Sequence, residues 1–274
     1  MSIFDQKVIK YEMKPLSSLE KVFPDETPVY RMECQMLSGL WGETVSFQVA
    51  YTGDFVMRER LDVRVVSELA EHVHVRTVEM VPVGRATNGI VDDNYLKTTS
   101  GLYPDLLKDL KDGKVIVYSR QWRSLWVDVD ITNEIPAGEY EIELQLIKEG
   151  EVVCSAKQKV TVIGTELPKL DIMHTEWMHA DCLADYYHVE VFSEEHWKLL
   201  ENYFQEYVKR DCNMMLTPLF TSPLDTAIGL ERTTCQLIDV EVKDGEYVFG
   251  FEKLKRWIDL CKKCGIEYFE MSHL

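Results

Sequence analysis

Three short stretches in the C-terminal part of the chain gather aromatic, imidazole, carboxylate and guanidinium side chains within a few positions of one another. The first holds His174, Glu176, Trp177, His179 and Asp181. The second holds Pro218, Phe220, Asp225, Glu231 and Arg232, and the third Glu270 and His273. Such a set suits a polyhydroxylated ring. An aromatic face stacks on the ring's C–H groups, while carboxylates, imidazoles and guanidinium hydrogen-bond its hydroxyls. We take Trp177, His179, Asp181, Glu231, Arg232, Glu270 and His273 as the candidate binding residues. Each also has a purely structural reading. Trp177 can plug a cleft, and His179 with Asp181 can organise a loop. Glu231 and Arg232 can form an ion pair, or Arg232 can pair with a buried Glu270. Asp225, ahead of Thr226, reads first as a turn former.

Other reactive patterns are weaker. Cys261-Lys262-Lys263-Cys264 is a lone CxxC at a helix end, without the second ligand pair that zinc requires. His72 and His74 fall on one face of an alternating strand and read as an exposed face rather than a metal site. Neither GxGxxG, nor a phosphate-binding P-loop, nor a Gly-x-Ser-x-Gly elbow is present, so no cofactor is expected.

The elements that must position these residues change character along the chain. Up to about residue 164 apolar and polar residues alternate. Examples are Thr44–Tyr51, Arg60–Val65, His72–Arg76, Ser124–Ile131, Glu139–Leu146 and Gln158–Val162. Each segment reads as a strand with one face inward and one in water. Turn residues such as Pro136-Ala137-Gly138 and Glu149-Gly150 separate them. Many short alternating strands predict an antiparallel β-sandwich over residues 1–165. Within it, Gly84–Asp112 breaks the alternation and reads as an excursion carrying a helix from Pro104 to Asp112.

Past Thr165-Glu166-Leu167-Pro168 the pattern becomes strand–helix. Strands are expected at Leu170–His174, Cys212–Pro218 and Ile266–Glu270. A first helix begins at Ser193, whose hydroxyl can cap it, and buries Trp197, Leu200, Phe204 and neighbours. A second runs from about Phe251 to Lys263, burying Leu254, Trp257, Ile258 and Cys261 before a stop at Gly265. A hairpin around Lys243-Asp244-Gly245 is inserted ahead of it. Alternating strand and helix imply a parallel sheet. A (β/α)8 barrel uses about 31 residues per unit, so the 107 residues from Pro168 to Leu274 correspond to roughly three units. The fold class expected is therefore multidomain β plus α/β: a sandwich, then residues 166–274 as an incomplete (β/α)8 barrel. A small open sheet packed on the sandwich is the alternative.

Composition narrows the functional classes. The net charge is −17, with no basic stripe, which argues against nucleic acid as a partner. No apolar run is long enough to span a membrane. Seven scattered cysteines and a start, Met1–Lys7, without an apolar stretch point to reduced thiols and a cytoplasmic protein.

Several longer runs add a resemblance. Thr175-Glu176-Trp177-Met178-His179-Ala180-Asp181-Cys182-Leu183-Ala184 with Tyr186-Tyr187 is one. Leu216–Thr226, Gly229–Thr234 and Glu270–Leu274 are others, together with Gly42–Gln48 and Ser124–Val127 in the first half. Together they resemble the bacterial proteins grouped as domain of unknown function 4091, relatives of glycoside hydrolase family 123, over about the first half of a typical member. The resemblance implies a sandwich followed by a (β/α)8 barrel acting on carbohydrate. It implies hydrolysis of terminal N-acetyl-β-galactosaminides, with the substrate's acetamido group as nucleophile and an Asp-Glu pair assisting. That pair follows the third strand in the relatives and matches no residue here. The chain alone is therefore expected to be inactive. The competing reading is a non-catalytic carbohydrate-binding or assembly module, with Trp41, Trp122 and Trp126 as candidate contacts.

Overall fold

The computed structural model describes residues 10–29, 36–55, 57–87, 89, 95–169, 171–221, 226 and 228–272. Their contacts divide the chain into two units, Met1–Pro168 and Lys169–Leu274.

In the first unit ten strands form two five-stranded sheets. They are β1 (Lys10–Ser17), β2 (Met36–Trp41), β3 (Thr44–Asp54), β4 (Glu59–Val66), β5 (Val73–Val83), β6 (Gly101–Asp109), β7 (Lys114–Val117), β8 (Arg123–Asp130), β9 (Gly138–Lys148) and β10 (Glu151–Glu166). One sheet runs β1-β3-β8-β5-β6 and the other β2-β10-β9-β4-β7. Their inward residues, among them Phe47, Val49, Leu125, Val127, Ile142, Leu144 and Val160, make one core. That follows directly from the period-two alternation. The β9–β10 hairpin turns at Glu149 (φ 52°) and Gly150 (φ 89°), the left-handed pair that a two-residue turn requires.

Three features depart from the expectation. First, β2 pairs with β10 in parallel. The chain passes from β2 in one sheet to β3 in the other across Gly42 (φ 94°), and a Cβ on Gly39 would meet Val45 Cγ2 at 2.5 Å. Crossing sheets over so short a link leaves β2 only the parallel edge of β10. Second, the helix expected at Pro104–Asp112 is instead β6, an edge strand antiparallel to β5. Pro104 is tolerated there because an edge position has no ladder bond to give up. Third, the outer face of β3 and β8 is not in water. Gln48, Ser124 and Asp128 are buried, and Gln48 reaches the Glu20 carbonyl (2.7 Å) and Ser124 (2.9 Å). Leu16, Val22, Ala50 and Trp122 form a second small core over this face. Trp122 is therefore buried. Trp41 is half-buried and donates to the Ile135 carbonyl (2.9 Å), and Trp126 is half-buried and donates to Asp128 (2.7 Å). These three do not form an exposed aromatic row. His74 lies beside Asp130 (3.2 Å), and no metal-binding cluster occurs among the described residues.

The second unit holds α1 (Ala180–Tyr187), α2 (Glu194–Val208), β11 (Met214–Thr217), β12 (Asp239–Lys243), β13 (Glu246–Gly250), α3 (Glu252–Cys264) and β14 (Tyr268–Met271). β11 and β14 pair in parallel, and β12 and β13 form the hairpin, turning at Asp244 and Gly245. Trp197, Leu200 and Phe204 of α2 pack against Trp257 and Cys261 of α3. Gly265, in the left-handed region, ends α3. The strand expected at Leu170–His174 is absent over its described residues, 171–174. Instead the Asn213 side chain takes the His174 N–H (2.8 Å) and donates to the Ile172 carbonyl (2.8 Å). An amide side chain thus occupies backbone groups that a ladder would use. The segments still lie side by side in chain order: Asn213 N–H donates to the His174 carbonyl, and Glu267 and Tyr268 N–H donate to the Asn213 carbonyl, all at 3.0 Å. A closed barrel is not formed by these residues. No helix is long and apolar enough to cross a membrane, among the described residues.

Candidate functional site

The C-terminal ends of β11 and β14 open toward the loops that carry the candidate residues. Trp177 donates its indole N–H to Glu270 at 3.0 Å across a separation of 93 residues. Trp177 remains 50% exposed, so the indole is half-open to solvent while its N–H is anchored. Tyr207, near the end of α2, holds the loop below it. Its hydroxyl accepts the Glu176 N–H (2.8 Å) and donates to the Met214 carbonyl (2.7 Å). Burial pushes the Tyr207 phenol up from its ordinary value, so it stays protonated and able to donate.

Asp181 and Arg232 form the second constellation. The guanidinium grips the carboxylate with two bonds, Nε–Oδ2 at 2.5 Å and Nη2–Oδ1 at 3.0 Å. Asp181 lies in the first turn of α1, where a negative charge complements the helix N-terminus. One turn on, Asp185 accepts from the Thr233 hydroxyl (2.8 Å), so one face of α1 holds the 232–235 segment at two points. His179, at the start of α1, lines a cavity of about 20 Å³ with Asp181, Arg232, Thr221, Cys235 and Ser272, room for about one water. Burial pushes the Cys235 thiol up to about 12, with Asp181 adding to the shift, so it is not a nucleophile at neutral pH.

The structure therefore joins Trp177 with Glu270 and Asp181 with Arg232. It does not join Arg232 with Glu231 or Glu270, nor His179 with Asp181 as a pair; Glu231 is exposed. His273 and Asp225 lie outside the described residues. The sequence reading does not single out Tyr207 and places no helix over 180–187. The Asp181/Asp185 spacing was the available signal for both the helix and its grip.

His196 ties the two helices together. It is fully buried. Its Nε2 donates to the Ala180 carbonyl (3.0 Å) at the start of α1, and its Nδ1 accepts the Phe192 N–H (2.9 Å). Ser193 caps α2 through the His196 N–H (3.2 Å), as its sequence position foretells. These roles require the neutral ring, and burial holds the His196 pKa below the usual 6.5. Below 6.5 the unfolded chain takes up a proton that the folded one refuses. Stability is therefore expected to fall as pH drops through about 6 toward the depressed pKa, by up to about 1.4 kcal/mol per pH unit. His196→Gln, which can both accept and donate in place, should flatten this part of a urea-stability profile between pH 5 and 7. An unchanged slope would refute the assignment.

The CxxC thiols are not a reactive pair. Cys261 is fully buried, burial raises both thiols, and Cys264 donates to the Glu201 carbonyl (3.9 Å).

Comparison with known proteins adds to this geometry. Residues 177–274 match the family model described as glycoside hydrolase 123, catalytic domain. Among solved structures, a family 123 glycoside hydrolase from Clostridium perfringens, studied for glycolipid glycan hydrolysis, superposes with a TM-score of 0.69 at 14% identity. The match covers 94% of this chain and 46% of that one. A β-glucosidase from Listeria innocua in complex with isofagomine matches with a TM-score of 0.27 at 10% identity, over 58% of this chain and 17% of that one. The N-terminal domain of PorA matches with a TM-score of 0.27 at 10% identity, over 56% of this chain and 99% of that one. No curated protein matches by sequence. The chain thus spans under half the length of the Clostridium enzyme it shares a fold with, and its residues 177–274, which carry the Trp177–Glu270 and Asp181–Arg232 pairs, are related to the catalytic domain of glycoside hydrolase family 123.

Proposed function

We propose that this chain is the sandwich (residues 1–165) and the opening arc (residues 166–274) of a (β/α)8 glycoside hydrolase. Its substrate class is a terminal N-acetyl-β-hexosaminide. The substrate's acetamido oxygen attacks the anomeric carbon, and a carboxylate pair from a part of the barrel beyond this arc assists. Here Trp177 offers the indole for stacking, Glu270 anchors that ring and hydrogen-bonds a sugar hydroxyl, and His179, Glu231 and His273 are the further residues assigned to substrate binding. Asp181 and Arg232 hold the rim's shape.

The observation that carries this reading is the Trp177–Glu270 hydrogen bond, which seats a half-exposed indole beside a strand-end carboxylate. The family match over the same residues supports the carbohydrate assignment. Trp177→Ala is expected to weaken binding of an N-acetyl-β-galactosaminide by about five- to thirtyfold, from the loss of about 1–2 kcal/mol of stacking and burial. Trp177→Phe should retain most of the affinity. Calorimetric titration checks both, and unaltered affinity in a folded Trp177→Ala chain refutes the site. Turnover of an aryl N-acetyl-β-hexosaminide by the 274-residue chain alone would show that the acid pair lies within it after all.

A further inference from the structure

A cleft in the first unit lies where the two sheets end, between edge strands β6 and β7. It has a volume of about 580 Å³, within the ~300–1,000 Å³ typical of small-ligand sites. The β5–β6 register skips between Val78 and Met80, a bulge of the kind that bends an edge strand away from its partner.

Its charge is opposite to that of the whole chain. The protein carries 47 Asp and Glu against 30 Lys and Arg. Yet the cleft is lined by Arg60, Lys108, Lys111, Lys114 and Arg123, against Glu79 and Asp109. Two of the cations are already neutralised, Arg60 by Asp112 (2.9 Å) and Lys114 by Asp62 (3.3 Å). No ion pair engages Lys108, Lys111 or Arg123 among the described residues. Glu79 is itself engaged by the Thr77 hydroxyl (2.8 Å). The three remaining cations outnumber the two lining carboxylates, Glu79 and Asp109, so the concavity carries a small positive excess in an otherwise acidic protein.

Arg123 is the most telling of them. Its guanidinium stacks over the Tyr118 ring (5.0 Å to the centroid) and donates from Nη2 to Gln121 (3.1 Å). Its Nε is buried without an acceptor. That nitrogen has no accessible surface, so a ligand in the cleft meets Arg123 through the rest of its half-buried side chain, held in place by the stack on Tyr118. The rest of the wall pairs aromatic Tyr51 and Tyr118 with apolar Val78 and Met80. Donors with an apolar and aromatic wall match a ring that bears an anionic group.

We propose that this cleft binds an acidic saccharide, one whose ring carries a carboxylate or sulfate, with Arg123, Lys108 and Lys111 holding the anion and Tyr118 helping to form the wall beside it. That the anion rides on a sugar rests on the proposed function; the preference for an anion rests on the cleft alone.

The test is calorimetric titration of the 274-residue chain with trigalacturonate, its fully methyl-esterified form and a sulfated chondroitin disaccharide. Binding of the trigalacturonate or the sulfated disaccharide, without binding of the neutral ester, is expected. Arg123→Gln should weaken it by about tenfold, and so should the surface double variant Lys108→Gln/Lys111→Gln, which leaves the core untouched. Raising the salt from about 50 to about 500 mM should weaken it several-fold. Three results would overturn the proposal: no binding of either acidic sugar, equal binding of the ester, or equal binding of inorganic sulfate alone. Trp177→Ala should leave this binding unchanged. Failure of the N-acetylhexosaminide site is thereby distinguishable from failure of the cleft.

Discussion

Replacing Arg232 by Ala is expected to destabilise the Lys169–Leu274 unit by about 3–5 kcal/mol, because it leaves a buried carboxylate without its counter-charge. The side chains of Arg232 and Asp181 are only 13% and 8% exposed, so bulk water hydrates the stranded carboxylate poorly. The two-bond geometry adds orientation to charge. The same physics predicts partial recovery in the double variant Asp181→Leu/Arg232→Met, which removes both charges and keeps the volume. Urea unfolding, with amide exchange over residues 180–187 as the local probe, measures both. A single variant within about 1 kcal/mol of the parent would mean that the pair is solvated in solution. Because the pair fixes the 232–235 segment onto α1, the single variant should also loosen the rim that carries Trp177.

Trp257→Ala is expected to be as damaging, at about 3–5 kcal/mol, by opening a cavity where α2 meets α3. Trp257 is fully buried, 5.0 Å from the Phe204 ring and 6.5 Å from Trp197, both edge-to-face. Trp257→Phe should be far milder than its change in volume implies. The indole N–H is buried without an acceptor, and Phe removes that unsatisfied donor along with the lost carbons. Thermal or urea unfolding of the two variants side by side gives the comparison. Equal losses for Phe and Ala would show that the N–H finds a partner in solution.

Legibility differed from element to element for physical reasons. The Ser193 cap, the α3 stop at Gly265 and the two hairpin turns were readable because each depends on residues within a few positions. So were the buried faces of α2 and α3, which follow from helical spacing. The helix assigned to Pro104–Asp112 misled because local spacing at an edge competes with a long-range partner, and β5 supplied that partner. The solvated outer face expected for β3 and β8 failed similarly. The covering residues Leu16, Val22 and Trp122 come from elsewhere in the chain. At the candidate site the residue types were visible, but their pairing was not. The sequence offered Arg232 two carboxylate partners, Glu231 and Glu270, and the packing of α1 against the 232–235 segment gave it a third, Asp181.

The order of side chains along the chain thus determined which faces are apolar, where helices start and stop, which turns are tight, and which residue types stand ready for a sugar. Those properties are set by neighbours one turn or one strand position away. Only the tertiary structure decided that β2 runs parallel to β10, that Asn213 stands in for a strand ladder, and that Trp177 meets Glu270. Each of these joins groups far apart in sequence. Which distant group wins a given partner depends on burial and geometry, and neither exists until the chain has packed.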